Sequence, residues 1–326
     1  MKILILGAAG MLGRKLLSRL ATEGLEGAPV AGAVLHDVVD PAPAQALPFP
    51  VECHAGDYAV PGAAEALVAG RPDVIFHLAS IVSGEAEARF EEGYRVNLDG
   101  TRALLEAIRV LPGYRPRVVF ASSLAVFGAP CPEMVDDDYL CAPSSSYGVQ
   151  KAMVELLLAD YSRRGFIDGL ALRLPTVSVR PGRPNAALSG FLSSIMREPL
   201  NGLEAVLPVE EAMRVWIASP RAAVSYLAHA ATLDTAPLGA RRSLNMPGVS
   251  VTVGEQIAAL RARAGERVAG LIRRAPDATV TRVVGSWPQR FAPARAQQLG
   301  FVGDTDFAAI LDAYIDEELG GRLPPP

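Results

Sequence analysis

Cysteine is scarce in this chain of 326 residues, occurring only at Cys53, Cys131 and Cys141. Three thiols cannot build a disulfide framework, and no pair of them has metal-ligand spacing. Histidine occurs four times, at 36, 54, 77 and 229, so a His/Cys metal centre is not expected. A surplus of positive charge is also missing. The formal net charge is −4, which gives no field favouring nucleic acid or an anionic membrane. No apolar run approaches the roughly 18 residues of a membrane span, and the N-terminal stretch Met1–Leu6 is too short for a secretion signal. The expected address is the cytoplasm. Lysine is the rarest charge, present only as Lys2, Lys15 and Lys151 among 31 basic residues. Arginine keeps its proton, whereas lysine is a compact charge with a tunable pKa. An internal lysine in this chain is therefore informative.

What is present is a folding composition. Half the residues are hydrophobic and 20% are charged, which excludes a disordered chain. The length suggests two domains at about 150 residues each. Short β-rich runs at Lys2–Leu6, Val30–His36, Asp73–Leu78, Arg117–Ala121 and Leu170–Leu174 alternate with amphipathic stretches at Met11–Ala21, Val96–Arg109 and Tyr147–Arg163. Strands alternating with helices predict an α/β fold, a doubly wound parallel sheet of the Rossmann kind, over residues 1–175. After Pro175 the rhythm changes to a loop rich in Pro, Gly and Arg. Helices are predicted at Ala187–Arg197, Pro220–Leu233, Val253–Arg263 and Asp304–Leu319, with strand pieces near Val206 and at Ser243–Asn245. Residues 176–326 are thus expected to form a smaller, mainly substrate-binding α/β region, some of whose segments return to the first sheet.

Gly7-Ala8-Ala9-Gly10-Met11-Leu12-Gly13 follows the first strand and opens the first helix. The first glycine suits a tight turn, the second a close approach of backbone to a pyrophosphate, and the third close packing of helix on strand. The helix start offers free N–H groups to the phosphates. Asp37 ends the second strand, where a carboxylate accepts from ribose hydroxyls and repels a 2′-phosphate. These features favour NAD as cofactor, against the counter-signal of Arg14 and with Asp40 as a competing acid.

Tyr147-Gly148-Val149-Gln150-Lys151 places a phenol and an ammonium on one helix face. With eight tyrosines and three lysines, chance yields about 0.07 such pairs. The charge of Lys151 is expected to lower the phenol's pKa from about 10 and make Tyr147 a general base. Ser122-Ser123 follows the strand Arg117–Ala121, where side chains point into the ligand crevice. His77, inside an apolar strand, reads as a packed residue rather than a catalyst.

Taken together, Gly7–Gly13, Asp37, Gly56-Asp57, His77-Leu78-Ala79, Asn97–Thr101, Ser122-Ser123, Tyr147–Lys151 and Leu172-Arg173 resemble the extended short-chain dehydrogenases/reductases of the NAD-dependent epimerase/dehydratase family. That resemblance covers roughly the first 175 residues. It implies that Asp57 and Tyr58 flank the adenine, that Leu78, Ala79 and Ser80 line the cofactor, and that Asn97 supports the central helix and a proton relay. It also implies that Lys151 holds the nicotinamide ribose and that Ser123, not Ser122, is the catalytic serine. Relatives are often dimers through Val96–Arg109 and Tyr147–Arg163, which implies a homodimer.

Three activities compete within the resemblance: a dehydrogenase, a nucleotide-sugar epimerase with retained NAD, and a silent NAD-binding regulator. Leu124-Ala125 stands where the dehydratases carry Asp-Glu, and the regulators lose the Tyr/Lys pair that this chain keeps. Thr176 replaces the Asn of the nucleotide-sugar enzymes, and Met213–Pro220 lacks their acid. The loop Val179–Ala187 resembles that of family members oxidising C2 of a short sugar acid with NAD. On that resemblance Thr176, Arg180, Arg183 and Asn185 join Ser80, Ser123 and Tyr147 as substrate residues, the arginines as forks for a carboxylate. Plain solvent exposure in an Arg-rich chain is the alternative for both arginines.

Overall fold

The computed structural model describes residues 1–25, 28–182 and 188–324. Two compact units emerge: Met1–Val126 with Ser145–Arg173 and Val224–Leu244, and Phe127–Ser144 with Leu174–Ala223 and Asn245–Pro326. Segments 127–144 and 224–244 therefore cross the border drawn at 175/176 from the sequence.

The first unit runs β1 (Lys2–Leu6), α1 (Met11–Glu23), β2 (Gly32–Asp37), β3 (Val51–Ala55), α2 (Ala63–Val68), β4 (Val74–His77), α3 (Ser83–Ala88) and α4 (Phe90–Tyr94). A π-helical turn (Arg95–Gly100) follows, then α5 (Thr101–Arg109), β5 (Arg117–Ser123), α6 (Ser146–Arg163) and β6 (Asp168–Leu174). Next come β7 (Thr176–Val177), α7 (Phe191–Leu200), β8 (Ala205–Leu207) and β9 (Arg214–Ala218). The chain returns through α8 (Pro220–Thr232) and β10 (Ser243–Asn245). It ends in β11 (Val249–Thr252), α9 (Val253–Ala264), α10 (Glu266–Ala269), β12 (Ile272–Arg274), α11 (Ala278–Gly285), α12 (Ala294–Gln298) and α13 (Phe307–Leu319).

Seven strands form one sheet in the order β10-β6-β5-β4-β1-β2-β3. β1 pairs in parallel with both β2 and β4, so the strand order reverses there. At such a switch point the loops leaving the two strands diverge and open a crevice for ligands. Ile3, Leu4, Ile5 and Leu6 are completely buried, as expected of a strand covered on both faces. β3 was not foreseen because Val51–Ala55 is a largely exposed edge strand with no apolar period.

The predicted helix Val96–Arg109 is two structures: the π turn, then α5. A single turn with i→i+5 bonding barely disturbs a 3.6-residue apolar period, so pattern alone misses it. α6 starts where Ser145 accepts from the Gly148 N–H, a side-chain cap two residues before Tyr147. In the second unit, β11-β9-β7 and β12-β8 form two small sheets over a separate core that includes Leu192, Ile195, Ile217, Leu260 and Ile310. Among the described residues no helix is long and apolar enough to cross a membrane.

Candidate active site

The glycine loop is built by steric need. Gly7 has φ +85°, and a Cβ there would stand 2.7 Å from the Ala79 backbone nitrogen. A Cβ on Gly13 would stand 2.4 Å from the Gly7 carbonyl oxygen, so only hydrogen lets α1 pack against the β1 turn. Gly10 is the helix N-cap with extended backbone and no side-chain cap. The opening N–H groups of α1 are thus left for an anion, the donor set a pyrophosphate requires.

Beside this loop lies a cavity of about 620 Å³. Of the residues foreseen from sequence, Gly7, Ala9, Gly10, Asp37, Asp57, Tyr58 and the Leu78-Ala79-Ser80 run line it. Met11, Leu12 and Gly13 lie in the first turn of α1. Asp37 accepts from the Ala9 N–H at 2.9 Å, which ties the acid to the glycine loop and fixes its position at the cavity. Arg14 Nε donates to the Ala9 carbonyl at 2.8 Å, which ties this side chain to the glycine loop. Asp57 is held by Arg95 at 2.6 Å. Tyr58 is almost wholly buried, stacks edge-on against His77 with ring centroids 5.5 Å apart, and donates to the Val96 carbonyl. Sequence reasoning missed Val38 and Val39, two exposed apolar side chains on the cavity wall. Large apolar groups left in water directly after Asp37 were the available signal.

The capless helix start, the carboxylate and the cavity fit the dinucleotide. The groups that would hold it are the N–H groups of Met11, Leu12 and Gly13 for its phosphates and Asp37 for a ribose.

Tyr147 shares hydrogen bonds with Ser123 at the end of β5 and with Ser80 from the loop after β4. Ser80 belongs to both sites, since it also lines the cavity. Lys151 is buried, donates to the Ala121 carbonyl at 2.9 Å, and has its ammonium 4.5 Å from the Phe120 ring centroid and 5.5 Å from that of Tyr147. The spacing thus brings the expected groups together, but the expected direction of tuning is corrected. Burial pushes the Tyr147 phenol up to about 12, against the pull of Ser123 and Ser80. Burial likewise pushes Lys151 down to about 7, against the pull of Glu155. The ammonium lies over the ring rather than at the hydroxyl, and desolvation penalises both charged forms more than their attraction favours them.

The neighbouring serines part company. Ser123 faces Tyr147, while Ser122 is buried and donates to Glu155 at 2.6 Å. Glu155, one turn beyond Lys151, is also gripped by the Arg173 guanidinium at 2.7 and 3.1 Å. Asn97 is buried in the π turn, accepts from the Ile81 N–H at 2.8 Å and from Ser80 at 3.1 Å, and donates to the Ile81 carbonyl at 3.0 Å. His77 is packed, with its Nε2 2.9 Å from the Thr101 hydroxyl and its pKa pushed down to about 3 by burial. It stays neutral at any ordinary pH, in keeping with a structural part.

In the second unit, Thr176 lies in β7, opposite Ile217. Arg180 is half-buried. Its backbone N–H donates to Ser193 Oγ at 3.0 Å, and its carbonyl accepts from Arg197 at 2.8 Å. Burial, and then the charge of Arg197, push the Arg180 pKa down, and no carboxylate among the described residues pairs with its guanidinium. Arg183 and Asn185 lie outside the described residues.

The glycine loop, the acid ending β2 and the Tyr-Lys helix belong together in one class. The chain is a member of the NAD dependent epimerase/dehydratase family, whose model matches residues 3–228. Within it, the chain is 48% identical to a D-erythronate dehydrogenase of Cupriavidus necator over 97% of this chain and 98% of that one. A D-erythronate dehydrogenase of Haemophilus influenzae is 40% identical over 98% of this chain and 100% of its own length. A solved structure described as the nucleoside-diphosphate-sugar epimerase from Agrobacterium tumefaciens superposes with a TM-score of 0.96 at 55% identity, covering 99% of this chain and 96% of that one.

Proposed function

We propose that this chain is an NAD-dependent dehydrogenase that oxidises the C2 hydroxyl of a short sugar acid, D-erythronate to 2-dehydro-D-erythronate. One observation carries the chemistry: the Tyr147 hydroxyl is shared by Ser123 and by the cavity-lining Ser80, with Lys151 one helical turn away. The near-full-length similarity to two D-erythronate dehydrogenases supports the substrate.

NAD, when bound, supplies the hydride-accepting ring and a positive charge. Tyr147 Oη, having lost its own proton to solvent under the positive charge that bound NAD and Lys151 would supply, takes the proton of the C2 hydroxyl while Ser123 Oγ holds that oxygen. Lys151 places its ammonium against the phenol ring and holds the nicotinamide ribose. Asn97 steadies the Ser80 end of the network. The C2–H bond breaks as hydride, the C2–O bond becomes a carbonyl, and a 2-keto acid leaves. Arg180, half-buried and without a counter-ion among the described residues, is the proposed fork for the substrate carboxylate. Ser80 and Thr176 are proposed substrate contacts, and Arg183 and Asn185 keep the same assignment from their residue types alone.

A second reading, a nucleotide-sugar epimerase retaining NAD, is favoured by the likeness to the Agrobacterium structure. A panel assay separates the two. Purified protein is mixed with NAD and either D-erythronate, L-threonate, related four-carbon acids or UDP-sugars, and NADH absorbance is followed. Stoichiometric NADH from D-erythronate is the expected result. Conversion of a UDP-sugar without net NADH would replace this reading with the epimerase, and tight NAD binding without any turnover would leave only a regulator.

The proposed assembly is a homodimer through the helical face of Arg95–Arg109 and α6. Phe90, Met153 and Leu156 are exposed apolar residues on or beside it and support that face. The proposed address is the cytoplasm, in keeping with three free cysteines.

A further inference from the structure

Gln150 is fully buried directly before Lys151 and takes no part in the chemistry above. Its Oε1 accepts a 2.7 Å hydrogen bond from Asn97 Nδ2. Its Nε2 is buried with no acceptor among the described residues. Native proteins keep few such donors, because each costs about 1–3 kcal/mol.

The orientation follows from Asn97. Ile81 brackets that carboxamide, with its N–H donating to Oδ1 and its carbonyl accepting from Nδ2. Turning the Asn97 amide over would set donor against donor and acceptor against acceptor. The second Nδ2 hydrogen therefore needs an oxygen from Gln150, and the amino group of Gln150 is left over. Space for that group exists because residue 93 is glycine: a Cβ there would stand 2.9 Å from Nε2. On its far side Asn97 Oδ1 takes a hydrogen bond from Ser80, and Ser80 is hydrogen-bonded to the Tyr147 phenol.

We propose that Gln150 is a positioning residue for the Tyr147 hydroxyl, acting through Asn97 and Ser80. The proposal rests on the reading of Tyr147 as the base. The orphaned donor is the cost of holding Asn97 in the one orientation that leaves its oxygen facing Ser80. The groups around the phenol are few: Lys151 on its own helix, Ser123 from β5 and Ser80 from the loop after β4. Glu155 lies one turn further along, and His77 lies near Lys151.

The test is the pH profile of kcat in the full-length protein with NAD and D-erythronate. Gln150→Met keeps the length of the side chain and removes the acceptor. The expected outcome is a fall in kcat of about tenfold, the worth of one such hydrogen bond. Its acid limb should move to lower pH, because Ser80, whose one proton goes to Asn97 Oδ1, is then free to turn that proton toward the phenolate. KM should stay within about twofold. Ser80→Ala, at a part-exposed position, should move the same limb, and the double variant should move it no further than Ser80→Ala alone, as expected of residues acting in series.

A lowered melting temperature with an unmoved limb in Gln150→Met would reduce Gln150 to a packing residue and overturn the proposal. An unmoved limb in Ser80→Ala would do the same, even if Gln150→Met failed to fold. Should the wild type oxidise no sugar acid, the functional reading falls, and the pairing is then read by NMR. Hydrogen exchange of the Asn97 side-chain amide should quicken in Gln150→Met, and unchanged exchange would overturn the proposal independently of turnover.

Discussion

Two neighbouring stretches of α6 bury ionisable groups in opposite ways. At 147–151 the phenol and the ammonium are desolvated with no counter-ion among the described residues in hydrogen-bond contact, and both are pushed toward their neutral forms. One turn later, Glu155 is as buried as Lys151 but is enclosed by Arg173 and Ser122. A buried charge with partners fastens β5 and β6 to the helix. A buried group without them is left reactive.

The contrast can be broken by experiment, and the largest expected effect is at its reactive end. Tyr147→Phe should lower kcat by about 10³-fold or more, the scale of a lost general base, while NAD affinity measured calorimetrically stays within about twofold. Near-normal turnover in this variant would remove Tyr147 from the mechanism.

At the paired end the loss should appear in stability instead. Glu155→Ala removes the buried carboxylate that binds both Arg173 and Ser122, so unfolding free energy should fall by about 3–5 kcal/mol in a denaturant titration. A variant as stable as the parent would show that the two stretches do not differ as argued.

Arg180 extends the contrast to the second unit, where Arg197 is held by Glu198 at 2.6 Å and Arg180 pairs with no carboxylate among the described residues. Arg180→Leu should raise KM for the sugar acid about 10–100-fold, the worth of a charge-assisted pair, with a smaller change in kcat. An unchanged KM would return Arg180 to a solvent-facing role.

The smallest effect is a trend with pH. The folded pKa of Lys151, about 7, lies below its unfolded value, so between these values the unfolded chain binds more protons. Stability from this group is complete above the unfolded pKa and is lost as pH falls toward 7. Lys151→Met lacks this dependence, so its advantage in melting temperature over the wild type should shrink as pH rises from 7 to 10. A constant gap would mean that Lys151 keeps its charge on burial.

Much of the first unit was legible because its signals are local. β1, the glycine loop and Tyr147–Lys151 each fit within a few residues, and the strand rhythm implied the parallel sheet. Ser123 was separable from Ser122 only through family resemblance, since both follow the same strand. The sign of the Tyr147 shift was not legible. Sequence spacing gives the distance between charges but not the loss of water around them, and desolvation prevailed. The short strands β8 and β12 have three residues each, too few for a period to register. The Asn97–Gln150 contact spans 53 positions and carries no motif.

The π turn at Arg95–Gly100 makes the number of residues in this segment as consequential as their identity. Such a turn holds one more residue than its α-helical counterpart. A one-codon deletion there would let the helix close normally and swing Asn97 by about 100° away from Ile81. Lineages that keep the chemistry should therefore accept conservative changes at exposed positions of this segment, yet tolerate neither gain nor loss of a single amino acid.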